Sequence, residues 1–197
     1  MTDEPAPDTD AALMLALKDG DDLALNEIMR RWQTPLVSFI FRHVGNHSDA
    51  LDLAQETFVR VYESRARYQP SAKFSTWLFT IASNLCRNLA RWRERHPTVS
   101  LDAPTDQDNA GLGSVIPAPV ESPSDSAERN DLASAVRQHI HALPHDLKTA
   151  VILFEYDEMS HEEIGQVLGC SAKAVETRLY RARKILREAL LRWRIPG

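Results

Sequence analysis

A chain of 197 residues, 43% hydrophobic and 26% charged, has room for one or two globular domains. No apolar run approaches the roughly 20 residues of a membrane helix. The N-terminal MTDEPAPDTD lacks the basic start and apolar core of a signal peptide, so neither membrane insertion nor secretion is expected, and a cytoplasmic location is. Cys86 and Cys170 stand far apart without CxxC or Cys/His ligand spacing, so no disulfide, metal site or cofactor is expected.

The net charge of −5 conceals an uneven distribution. Residues 60–95 are rich in arginine, and the stretch after Ser171 is similarly basic. Between them, residues 97–131 carry seven acids against Arg129 alone. Two basic blocks on either side of an acidic connector suggest two contacts with a polyanion.

Apolar residues recur at helical spacing throughout, and alternating strand patterns do not occur. The first helix is predicted from Ala11 to Lys18 behind Asp10 as cap. The second follows Asp21, with Ile28, Trp32, Leu36 and Phe39 inward and a kink at Pro35. A third follows Ser48 and turns Leu51, Ala54, Phe58 and Val61 inward. The fourth opens at Ser75 between Phe74 and Phe79, placed as a hydrophobic staple, and runs to about Arg95 before Pro97.

On this fourth helix Leu78, Ile81, Leu85, Leu89 and Trp92 form the predicted buried stripe. Beside it runs a second line, Trp77, Asn84, Asn88, Arg91 and Arg95, with Arg87 next to it. An aromatic ring can stack on an unpaired base, amides can read its edge and arginines can hold phosphates, which is what partly opened DNA requires. Taken alone, Trp77 reads as a core residue and the arginines as a helix end favoured by the dipole.

From Pro97 to about Ser126, Pro, Asp, Ser and Gly accumulate without apolar periodicity. The expectation is a flexible acidic linker over 97–126, joining a domain at 1–96 to one at 127–197. In the second domain a helix should end at Leu143, and Pro144 should open the next. Ser160 and Glu163 make a capping box, Gly169 suits a left-handed close, and Ser171 opens the last helix. Two helices across a short glycine-containing turn form a helix-turn-helix.

Val175, Leu179, Ala182 and Leu186 share the inner face of the last helix. Opposite lie Lys173, Thr177, Tyr180 and Lys184, flanked by Arg181 on one side and by Glu176 and Arg187 on the other. That face, with Arg178 adding to its charge, suits the major groove: cations neutralise phosphates, while Glu176, Thr177, Tyr180 and Arg181 reach base edges. Glu176 repels phosphate, and it makes sense as an acceptor for a cytosine amino group. The bland alternative is a structural helix pair with a solvated charged face.

Four stretches, SDALDLAQETFVRVY (48–62), FSTWLFTIASNLCRN (74–88), ALPHDLKTAVIL (142–153) and SHEEIGQVLGCSAKAVETRLYRARKIL (160–186), together resemble the extracytoplasmic-function (ECF) sigma factors of the sigma-70 family. The resemblance covers almost the whole chain. It implies an all-α fold of two small helical domains, a four-helix sigma-2-like bundle and a sigma-4-like helix-turn-helix. It implies a linker that threads toward the RNA exit path. It also implies that Asp49, Asp52, Gln55 and Glu56 face the largest-subunit clamp helices of core RNA polymerase, with a further contact to the flap. Asn84 stands where the family holds a flipped −10 base, beside the loop Tyr68–Lys73, and Glu176, Thr177, Tyr180 and Arg181 stand at −35-reading positions. An anti-sigma protein is the further partner implied.

Two departures from the family pattern are visible. Leu51 replaces a usual acidic residue, and Lys173, Ala174 and Glu176 replace a common Gly-Thr-Val-Lys/Arg pattern, so the −35 sequence read here is expected to differ. The rival reading is a conventional helix-turn-helix regulator that binds duplex DNA without polymerase, which gives the fourth-helix line no role. An enzyme is the remoter rival. His139 and His141 point apart on a helix, Pro144 interrupts the pair at 141 and 145, and no nucleophile–base set or HExxH is present, so no small-molecule substrate is expected.

Overall fold

The computed structural model describes residues 9–70, 73–96 and 123–191; the linker reading over 97–122 lies outside them. The first unit comprises α1 (Thr9–Lys18), α2 (Leu23–Val44), α3 (His47–Ser64), a 3-10 turn at Arg65–Arg67 and α4 (Phe74–Arg95). The second comprises α5 (Pro123–His141), α6 (His145–Glu155), α7 (His161–Leu168) and α8 (Ala172–Ala189). Helix α5 thus begins four residues ahead of the 127 boundary predicted for the second domain. Among the described residues there is no strand.

Met14, Leu17, Ile28, Phe39, Phe58, Val61, Leu78 and Phe79 fill the first unit's core, each large side chain contributing about 1.5–3 kcal/mol by leaving water. The aromatic staple around the start of α4 closes on α2: the Trp32 ring lies 5.8 Å from Phe74 and 6.0 Å from Phe79. Asp10 sits inside the first turn of α1 rather than capping it, and accepts from Trp32 Nε1 at 3.0 Å. Asn46, two residues before Ser48, caps α3 by accepting from the Asp49 amide at 3.0 Å. The carboxylate of Asp21 accepts from the Leu23 amide at the head of α2, which runs unbroken through Pro35.

In the second unit the capping box forms as the sequence requires. Glu163 accepts from the Ser160 amide at 2.8 Å, while Ser160 Oγ accepts from the Glu163 amide at 3.2 Å. Gly169 closes α7 at φ 63°, and Ser171 caps α8. Val175, Leu179 and Ala182 are buried against α6 and α7. Gly165 was not singled out in the sequence, yet it governs this turn: a Cβ there would lie 2.6 Å from the Cys170 carbonyl oxygen.

The two units are docked on one another, with α7 against α4 and α5 and α6 against α2. Lys73 Nζ meets Glu163 at 2.8 Å, and Arg87 meets Asp146 at 2.9 Å. His145 Nε2 lies 3.1 Å from Ser83 Oγ, and Lys148 Nζ donates to the His43 carbonyl at 3.3 Å. Helix α4 is therefore enclosed on two sides. Leu78 and Leu85 are buried toward its own bundle, while Thr76, Ser83 and Cys86 are buried on the side where the second unit docks.

Candidate nucleic-acid interface

The arc of α4 left to solvent holds Asn84, Asn88, Arg91 and Arg95, all exposed and in line. Arg95 Nε donates to the Arg91 carbonyl at 3.1 Å, which directs that side chain back along the helix. Trp77 stands at the N-terminal foot of this line. It is half-buried, its ring 5.2 Å from Tyr68 and 6.1 Å from Phe74, so it joins core and surface.

Three expectations for this helix need correction. Tyr68 is 2% exposed and packs among Phe74 and Trp77, so it is a core side chain that supports the loop rather than a DNA-facing one. Arg87 leaves the line for Asp146 of α6, because its Cα faces the docked unit. Trp92, predicted in the buried stripe, is 48% exposed and stacks on His96 with centroids 5.0 Å apart. Its burial fails because residues 90–96 form a last stretch of α4 that is exposed all round. Lys73 is exposed as expected and holds Glu163 in the docked arrangement.

On α8 the predicted outer face is present. Lys173, Glu176, Thr177, Arg181 and Lys184 are exposed, and Tyr180 is 71% exposed. Lys173 Nζ donates to Glu176 at 2.6 Å, and this hydrogen bond holds the Glu176 carboxyl below the usual carboxylate range, so it is an ionised acceptor. Thr177 Oγ1 donates to the Lys173 carbonyl at 3.0 Å and can still accept. Arg178 is the exception on this helix. Partly buried, it contacts Cys170 Sγ and pairs with Asp146 at 3.2 Å, so it braces the turn instead of facing outward.

On α3, Asp52 and Gln55 are exposed, Glu56 pairs with Arg60 at 2.7 Å, and Asp49 pairs with Arg93 of α4. Leu51, predicted inward, is 36% exposed at the edge of this face. Val59, which the sequence reading passed over, is 50% exposed one turn beyond Gln55 and Glu56. An apolar centre ringed by polar and acidic groups is the composition of a protein-docking patch. Its signal was available: a valine on the polar side of the helix, at i+3 and i+4 from that pair.

The descriptions that match this chain are two. "Sigma-70 region 2" matches residues 28–96 and "Sigma-70, region 4" matches residues 133–186. The chain is 32% identical over 178 residues to an ECF RNA polymerase sigma-E factor of Haemophilus influenzae, covering 90% of this chain and 93% of that one. It is 34% identical over 175 residues to the ECF RNA polymerase sigma factor SigW of Bacillus subtilis, covering 88% and 92%. Among solved structures, CnrH in complex with the cytosolic domain of CnrY is similar with a TM-score of 0.68 and 26% identity, over 95% of this chain and all of that one.

Proposed function

The chain belongs to the extracytoplasmic-function sigma factors of the sigma-70 family, and from that premise we propose how its surfaces divide the work of promoter recognition. It is a transcription-initiation factor that binds core RNA polymerase, recognises −35 and −10 elements and promotes strand opening. It acts as an initiation factor rather than as an enzyme. No helix among the described residues is long and apolar enough to cross a membrane.

The exposed face of α8 reads the −35 element. Arg181, Lys184 and Lys173 meet phosphates or guanine edges, and ionised Glu176 accepts from a cytosine amino group. The line Asn84, Asn88, Arg91 and Arg95 holds the −10 strand as it leaves the duplex, with the amides on a base and the arginines on its phosphates. The face around Val59, with Asp52, Gln55 and Glu56, docks on the polymerase clamp. An anti-sigma protein holds the free factor, a reading supported by the likeness over 95% of this chain to CnrH, solved with the cytosolic domain of CnrY.

One observation carries the assignment. A single chain joins an exposed amide–arginine line within its region 2 match to an exposed basic helix-turn-helix face within its region 4 match. A conventional regulator needs only the second. The test is transcription with purified core polymerase on a promoter library, with and without the protein. New transcripts that require it, sharing two upstream elements, are the expected result. Tight duplex binding by the protein alone without any transcript would overturn the assignment.

A further inference from the structure

The −35 and −10 elements are centred about 25 base pairs apart by their own numbering, which is about 85 Å of duplex at roughly 3.4 Å per pair. The two reading units are instead in contact, with Lys73 of α4 2.8 Å from Glu163 of α7. The docked form cannot reach both elements, so something must hold the units together and something must release them.

The centre of the joint is histidine. His43 of α2 is buried, and its ring centroid lies 5.1 Å from that of His145 on α6. Thr149 Oγ1 lies 3.4 Å from the Nε2 atom of each, and Ser83 Oγ of α4 lies 3.1 Å from His145 Nε2. Gly45, at the C-terminal end of α2, meets a third histidine: a Cβ there would lie 3.1 Å from Nε2 of His141 on α5. Thr149 Oγ1 gives its proton to the His145 carbonyl at 3.0 Å, so toward both rings it can only accept, and what keeps the rings neutral is their burial side by side among cations.

The surrounding charge opposes any added proton. Helix α4 brings Arg87 and Arg91 toward His145 and Arg93 toward His141, together with the buried Cys86 thiol. Helix α6 brings Lys148, whose ammonium reaches the His43 carbonyl. Arg42 of α2 is turned away over the Tyr156 ring. The carboxylate beside the joint, Asp146, is already shared by Arg87 at 2.9 Å and Arg178 of α8 at 3.2 Å.

We infer that the His43–His145 joint is a proton-released latch, which holds the helix-turn-helix unit on α4 while both rings are neutral and lets it go when they are protonated. The latch rests on the reading that α4 and α8 address two elements of one promoter. Burial pushes His43 well below its ordinary value near 6.5, and burial with Arg87 lowers His145 to about 4. Closure is therefore at full strength above pH 6.5 and is lost as pH falls toward those lowered values. At pH 5.5 His145 shifts the equilibrium about tenfold toward the open form, and the lowered His43 and His141 act in the same direction. Asp157, raised by burial to about 6, pulls about fourfold the other way, so the net effect of acid is release.

Small-angle scattering on the full chain between pH 7.5 and 5.5, with far-UV circular dichroism alongside, tests the latch. The radius of gyration should rise reversibly by about a third from the ~16 Å of a compact chain of 197 residues, at constant helix content. His145→Gln, which cannot be protonated, should remain compact across the range. A wild-type radius that stays flat, or a variant that opens as the wild type does, overturns the latch. Should the variant already be open at pH 7.5, the histidine proton resonances of the wild type decide, because those of His145 must titrate in step with the radius. Promoter-dependent transcription with core polymerase at pH 7.5 is the separate arm. Transcripts from a chain that ignores pH reject the latch and keep the sigma assignment, whereas acid opening without transcripts does the reverse.

Discussion

Gly165→Ala tests the packing of the helix-turn-helix because two simple effects predict opposite signs. Gly165 lies inside α7, where alanine is worth about 0.8–1.0 kcal/mol more than glycine by helix propensity. Against that, the new methyl would stand 2.6 Å from the Cys170 carbonyl oxygen and 3.5 Å from the Ala172 amide nitrogen. Its near neighbour is backbone, which cannot rotate aside, so the turn between α7 and α8 must move by several tenths of an ångström. Overpacking of this kind costs about 1–3 kcal/mol, so after the propensity gain the expected net is a loss centred on about 1 kcal/mol and reaching about 2 kcal/mol. In a unit of this size that is a fall of about 4–8 °C in melting temperature per kcal/mol. Thermal and urea melts read it directly, and transcription on −35 variants should show weakened dependence because α8 is re-aimed. A variant that melts at or above the wild type would refute the steric argument and leave propensity in command.

Asn84→Ala should leave the melting point within about 0.5 kcal/mol of wild type, as an exposed substitution does, while lowering permanganate reactivity of the −10 thymines. Tyr68→Ala should do the opposite, losing about 3–5 kcal/mol of stability as an emptied core site, with −10 selectivity unchanged in the protein that stays folded. Arg181→Ala and Tyr180→Ala should each weaken −35-dependent transcription by about 1–3 kcal/mol; unchanged ranking of −35 variants would count against the assigned face. Val59→Asp should raise the Kd for core polymerase at least tenfold with the melting point unaffected, measured by fluorescence anisotropy of the labelled factor.

The helix-turn-helix was legible because its determinants are local. Ser160, Glu163, Gly169 and Ser171 act within a turn of where they stand, and all four do what their sequence spacing demands. The line on α4 was legible for its amides and last arginines, whose angular position alone decides exposure. Tyr68 was misread because it sits in a polar run, RARYQP, and only the three-dimensional return of α4 places it between Phe74 and Trp77. Arg178 and Arg87 were misread for one shared reason: Asp146 lies 32 and 59 residues away from them in sequence, and a distant carboxylate leaves no periodic trace. The docking face escaped notice because Thr76 and Ser83 look solvent-facing until a second unit covers them.

Both partners of that docking belong to one polypeptide, with residues 97–122 between α4 and α5. Tethering replaces a bimolecular encounter by an effective concentration on the order of a millimolar. A joint with an intrinsic Kd of ~0.1 mM would go undetected between severed halves mixed at micromolar concentration, yet it would hold the intact chain closed about ten times out of eleven. So feeble a contact is also easy to displace. At that affinity, a polymerase that offers each unit its own site would have to overcome only about 1.4 kcal/mol, roughly RT times the logarithm of that ratio. The histidine cluster need not be strong to control the molecule; at that affinity it has only to tip a balance of about ten to one.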